Sequence, residues 1–144
     1  MRKLRLGCLL VLSACVLSAC VPRQAVITKQ VVGQIPSDRV PDQVIRAPAT
    51  APVNQRITLT VNTYGSSTCR TAGGANVEVV GLTAIITPFD RLPVGDVMCT
   101  DDLRSHPRTV NVRFAEPGEA LIRVIGQSFD GRQTVTEQRI TITQ

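Results

Sequence analysis

The chain has 144 residues, enough for one domain with a sizeable core, and its 16 basic and 11 acidic side chains give a net charge of +5. Three Phe, one Tyr and no Trp leave few rings for stacking, which argues against a sugar platform or a single-stranded nucleic-acid site. The arginines are spread from Arg23 to Arg139 without a cluster, so no nucleic-acid partner is expected.

The first element is a leader. Arg2, Lys3 and Arg5 precede an uncharged, mostly apolar stretch over 6–19, the layout of a secretory signal peptide. The run is short for a span, because crossing ~30 Å of hydrocarbon takes ~20 apolar residues and Pro22-Arg23 end it early. An ordinary secretory cut after Ala19 would put Leu17 where a small residue is preferred. Leu17-Ser18-Ala19-Cys20 instead resembles a bacterial lipobox, in which the cysteine sulfur receives diacylglycerol. The same four letters occur at Leu12-Ser13-Ala14-Cys15, but a cut before Cys15 would leave Val16 and Leu17 dangling, so Cys20 is the expected lipid attachment site.

The resemblance implies a signal peptide over 1–19 and a chain held in the cell envelope by lipid on Cys20. Val21 after the cysteine, rather than aspartate, implies the outer membrane where the host has two. Losing the leader removes three basic side chains and no acidic one, so the mature chain falls to +2 and its apparent basicity belongs partly to the leader.

Residues 20–55 contain Pro22, Pro36, Pro41, Pro48 and Pro52 with no sustained period, which predicts a stiff Pro-rich tether able to hold a domain many tens of ångströms from the membrane at ~3.1 Å per residue. Within it, 40–46 is expected as a short edge strand. From Val21 onward, 17 Val, 10 Ile and 15 Thr against 5 Leu favour pleated strands over helices.

From Arg56 the apolar residues alternate. Ile57, Leu59 and Val61 share one face, and a strand over 77–87 places Val80, Leu82, Ala84 and Ile86 together with Gly81 as a bulge or bend. Val110, Val112 and Phe114 form the next face, Glu116-Pro117-Gly118-Glu119 suits a type II turn, and Ala120, Ile122 and Val124 point inward. Asp130-Gly131 marks another turn before Ile140 and Ile142. Such strands predict an all-β, antiparallel sandwich over 56–144.

The block from Val110 to Val124, with Phe114 and Pro117-Gly118, together with the strand over 134–143, resembles the last strands of bacterial immunoglobulin-like domains. That resemblance covers about the last 90 residues and implies an immunoglobulin-like β-sandwich. The tryptophan of antibody-type domains is absent, so another sandwich or a small barrel stays open.

Beyond the leader and Cys20, Cys69 and Cys99 form an even pair in an oxidising compartment, the arrangement of a disulfide, and no C-x-x-C favours redox or metal use. His106 is the single histidine, expected in a loop before Pro107, and no G-x-S-x-G surrounds a serine. Asp90, Asp96, Asp101 and Asp102 gather acid around Cys99 without the spacing of an EF-hand and are read as turn and strand-end residues. No catalytic residue, metal ligand or cofactor is therefore expected. The loops over 69–76 and 89–107 are the expected functional surface, with an envelope protein or surface component as partner. The chain is expected to act as a non-catalytic binding or structural module, and two rival activities follow from the same residues: a small inhibitor that plugs a secreted hydrolase with the disulfide-held loop, and an enzyme using His106.

Overall fold

The computed structural model describes residues 26–39 and 41–144, so the expected signal peptide over 1–19 and the lipid attachment at Cys20 lie outside the described residues. In chain order the elements are β1 (Thr28–Val32), a single helical turn α1 (Pro41–Val44), β2 (Ile45–Arg46), β3 (Thr50–Pro52), β4 (Ile57–Gly65), β5 (Thr71–Val80), β6 (Thr83–Pro93), β7 (Arg104–Val112), β8 (Gly118–Gln127) and β9 (Gln133–Thr143). They form a β-sandwich. A six-stranded sheet runs β1-β6-β8-β9-β3, with β5 on the other edge of β6, and a three-stranded sheet runs β2-β4-β7.

Alternation builds the core as the sequence implies. Ile57, Leu59 and Val61 in the small sheet, and Ala84, Ile86, Ala120, Ile122, Val124, Ile140 and Ile142 in the large one, turn one face inward. Phe114, the largest fully buried side chain, fills the space where the chain crosses from β7 to β8. The sandwich is mostly antiparallel, but β3 lies parallel to β9 and β6 parallel to β8, a departure from the purely antiparallel expectation.

The tether is corrected most. Residues 28–39 and 41–53 belong to the folded domain and join both sheets in turn: β1 pairs with β6, β2 with β4, and β3 with β9. Ile35, Val44, Ile45 and Ala51 are buried in the common core. The expected edge strand over 40–46 is the helical turn α1 followed by the two residues of β2. This segment covers the end of β4, which is why Asn62, Thr63 and Tyr64 are buried without alternation. Asn62 Nδ2 and the Tyr64 hydroxyl both donate to the Gln43 carbonyl, at 2.7 and 3.0 Å, and the Arg39 guanidinium lies 4.8 Å from the Tyr64 ring centre. Gly126 leaves room for the crossing chain, since a Cβ there would meet Ile35 Cδ1 at 2.6 Å.

The strand expected over 77–87 is two strands. The chain reverses at Gly81-Leu82, where Val80 pairs with Thr83 and Gly81 takes φ 57, a conformation that favours glycine. β5 is exposed along nearly all its length because it forms the sheet edge. Pairing with β5 and β1 extends β6 to Pro93, and β7 begins at Arg104, so the connection expected over 89–107 narrows to 94–103.

Candidate functional site

Strand parity places a charged cluster inside the sandwich. Asp90 continues the inward series Ala84, Ile86 and Pro88 on β6, and Arg108 continues the series Val110 and Val112 on β7. Arg70 reaches them from the connection after β4. Asp90 Oδ2 accepts from Arg70 Nη1 at 2.8 Å, while Oδ1 accepts from Arg108 Nη2 at 2.5 Å and from the Thr63 hydroxyl at 2.7 Å. Arg108 also donates to the Phe89 carbonyl and to Thr63 Oγ1, and its Nε is buried without a partner.

Asp90 is fully buried. Burial pushes its carboxyl up, but the hydrogen bonds from Arg108, Thr63 and Arg70 and the Arg108 charge outweigh burial and hold it below the ordinary value of 3.8. The cluster therefore ties β6 of the large sheet to β4 and β7 of the small one.

Next to Arg70 lies the second tie. Cys69 and Cys99 form a disulfide with Cα atoms 5.4 Å apart, joining the β4–β5 connection to the β6–β7 connection. Hydroxyls reinforce it: the Thr100 amide donates to Thr68 Oγ1 at 2.9 Å, and Ser66 Oγ lies 3.0 Å from Thr100 Oγ1. Asp102 accepts from the Thr100 hydroxyl, from the Ser67 amide at 3.0 Å and from Arg104 Nε at 3.2 Å. Those donors, Thr100 foremost, hold its carboxyl far below the ordinary range.

Two grooves open beside these ties, of about 630 and 500 Å³, and Leu103 and Phe129 line both. Phe129 is 53% exposed. Its loop is closed by hydrogen bonds: Ser128 N–H donates to the Arg132 carbonyl at 2.8 Å, Gly131 N–H to the Ser128 carbonyl at 3.0 Å, and Asp130 accepts from Arg132 Nε at 2.6 Å. Pro36 and Asp38 form the far wall of the larger groove, and Arg70 and Cys99 form part of the smaller.

The structure thus brings Cys69 and Cys99 together and separates the four aspartates. Asp90 is in the core, Asp102 in the hydroxyl cluster, and Asp96 and Asp101 are exposed. Among the described residues no group of three or more His, Cys, Asp or Glu is placed to hold a metal ion. His106 is in β7 rather than in a loop, opposite Thr63, with Nε2 3.4 Å from the Gly65 carbonyl. The expected loop over 69–76 is mostly strand β5.

Sequence reasoning missed the Phe129 loop, the Pro36 wall and the Arg70–Asp90–Arg108 cluster. Among the aromatics, Phe114 and Tyr64 are buried in the core, whereas Phe129 stands out at the groove rim. Among the described residues no helix is long and apolar enough to cross a membrane. No protein-family model, curated protein or solved structure matches this chain.

Proposed function

We propose that this chain is an envelope lipoprotein, anchored through Cys20 and held at the outer membrane where the host has two. Its sandwich works as a non-catalytic binding module. The observation that carries the binding reading is the Phe129–Leu103 rim: apolar side chains exposed between two grooves, on connections fixed by a disulfide and a dense hydrogen-bond set. A half-exposed aromatic on a hydrogen-bonded turn, flanked by concave surface, is what a protein partner's anchor residues pack against. The partner is an envelope protein or surface component.

Two measurements test this. Cys20→Ser is expected to abolish palmitate labelling and move the protein from the membrane to the soluble fraction. Persistent labelling of that variant would overturn the site and point to Cys15. A photo-crosslinking residue at position 129, in intact cells, is expected to give a discrete adduct, while one at exposed Val135 on β9 gives none. Equal yields from both positions, or none from 129, would remove the rim as the binding surface.

A further inference from the structure

From the end of the sandwich that carries the grooves, a blade projects. Gly33 N–H donates to the Pro88 carbonyl at 2.8 Å, and the last residue of β8, Gln127, pairs with the chain at Gly33 and Ile35. Beyond that level β6 continues from Phe89 to Pro93, flanked on one edge by β1 and on the other by the start of β5, and covered at Asp90 by Thr63 of β4 and Arg108 of β7. The four residues of β6 beyond Phe89, at ~3.3 Å each, carry the blade about 13 Å past the end of β8.

The tip of that blade is apolar and uncovered. Val94 N–H donates to the Ile27 carbonyl at 2.8 Å, which sets Val26 and Ile27 beside Val94 and the loop that continues through Val97 and Met98 to the disulfide at Cys99. Val26 is 69% exposed, Ile27 72% and Met98 96%, and Val94 and Val97 are about half exposed. The other exposed large apolar side chains are Val77, Val79 and Val80 on the edge strand β5, Val135 on β9, and Leu103 and Phe129 at the groove rim. A single exposed valine needs no explanation, but five large apolar side chains at one tip do.

The chain ahead of Val26 says what covers them. Cys20 is six residues from Val26 in the sequence, and a fully extended chain spans at most ~3.6 Å per residue, so the lipidated sulfur is tethered within about 22 Å of this tip. The long stand-off implied by a 36-residue tether does not exist, because β1 begins at Thr28. We infer that the tip formed by Val26, Ile27 and the loop over 94–98 inserts into the lipid surface that holds the anchor. The domain then stands on the membrane with the Phe129–Leu103 grooves just outside the headgroup layer. This inference rests on reading Cys20 as the lipid-bearing residue.

The chemistry suits the interface. Unbranched Met98 adapts to disordered acyl chains, and an apolar tip lodged ~5 to 10 Å deep reaches the headgroup–acyl boundary without spanning it. Lys29 and Arg91, exposed two to three residues behind the tip, fall at headgroup level, where phosphates are. Asp96 is the one carboxylate within 94–98 and is exposed, and insertion of its apolar neighbours requires its side chain to remain in the hydrated layer.

The absence of tryptophan makes the test clean. Met98→Trp and, as a remote control, Val135→Trp are introduced singly into the full chain. Each is produced in a bacterial host, extracted from membranes and reconstituted into vesicles of phosphatidylcholine brominated on its acyl chains. The expected result is a blue shift and loss of emission for Met98→Trp, with Val135→Trp unshifted and unquenched. Palmitate labelling of the same preparations reads the anchor separately. Labelled protein with unquenched Met98→Trp would overturn the inference and leave the anchor standing, the result required if this loop instead plugged a hydrolase. Quenched Met98→Trp in unlabelled protein would overturn the anchor alone, and an unlabelled, unquenched chain would overturn both.

Discussion

Asp90→Asn is expected to destabilise the domain by about 3 to 5 kcal/mol, read as a lowered midpoint in chemical denaturation at neutral pH. The substitution is nearly isosteric, so packing loss contributes little. Its cost is electrostatic: Arg70 and Arg108 are both about nine-tenths or more buried, and Asp90 is the carboxylate that bonds to both. Removing that charge leaves two guanidiniums facing one another in the interior. Against a total stability of about 5 to 15 kcal/mol for a domain, this is a large fraction.

The control separates a charge effect from a shape effect. Replacing the three together, as Arg70→Met, Asp90→Leu and Arg108→Met, removes the unpaired charges as well as the pairs, and is expected to recover most of the loss. If Asp90→Asn cost less than about 1 kcal/mol, the cluster would be solvated rather than buried.

A pH dependence follows with a definite sign. The folded Asp90 carboxyl lies below its unfolded value of 3.8, so its stabilisation is complete above that value and is lost as pH falls through the folded one. Acid titration of the native protein should therefore show a steep loss below about pH 4, shallower in Asp90→Asn. Some slope remains in that variant, because Asp102 and Asp130 are also held low by their hydrogen bonds.

The same residues show how far the sequence could be read. From Arg56 onward a period of two was visible wherever one face was buried and the other solvated, and Leu59, Val110, Ile122 and Ile140 are inside as their parity implies. Where burial was not one-sided the period vanished. β5 is an exposed edge, the end of β4 is covered on both faces, and residues 28–53 contribute short pieces to two sheets between prolines.

The cluster did leave a signal. Asp90 falls on the inward parity of Ile86, and Arg108 on that of Val110. Two opposite charges on the buried faces of separate strands are a candidate pair on that ground alone. Arg70 left none, because no strand period runs through the connection that holds it. The Phe129 loop was equally silent, since a turn sequence does not reveal which other loops surround it.

Removing the disulfide is the second change with a large expected effect. Cys69 and Cys99 are separated by 30 residues, and opening a loop of that length is worth about 3 to 4 kcal/mol in the chain-entropy model. Cys69→Ala with Cys99→Ser, compared with the parent in oxidising buffer, should show that loss in the denaturation midpoint. The hydroxyl set around Thr100 cannot replace it, because exposed hydrogen bonds contribute about 1 kcal/mol each at most and depend on the loop already being in place.

The effect should not be independent of Asp90. Arg70 follows Cys69 directly, so the disulfide fixes the backbone from which the guanidinium reaches the carboxylate. With the disulfide open, Arg70 can swing out to water and leave Asp90 paired with Arg108 alone. A double-mutant cycle combining Asp90→Asn with the two cysteine substitutions should then cost less than the sum of the parts, by about 0.5 to 3 kcal/mol. Strict additivity would show that the two ties hold the sheets separately. Sub-additivity would mean that the covalent bond keeps the buried charges paired, and with them the loop over 94–98 that leads into Cys99.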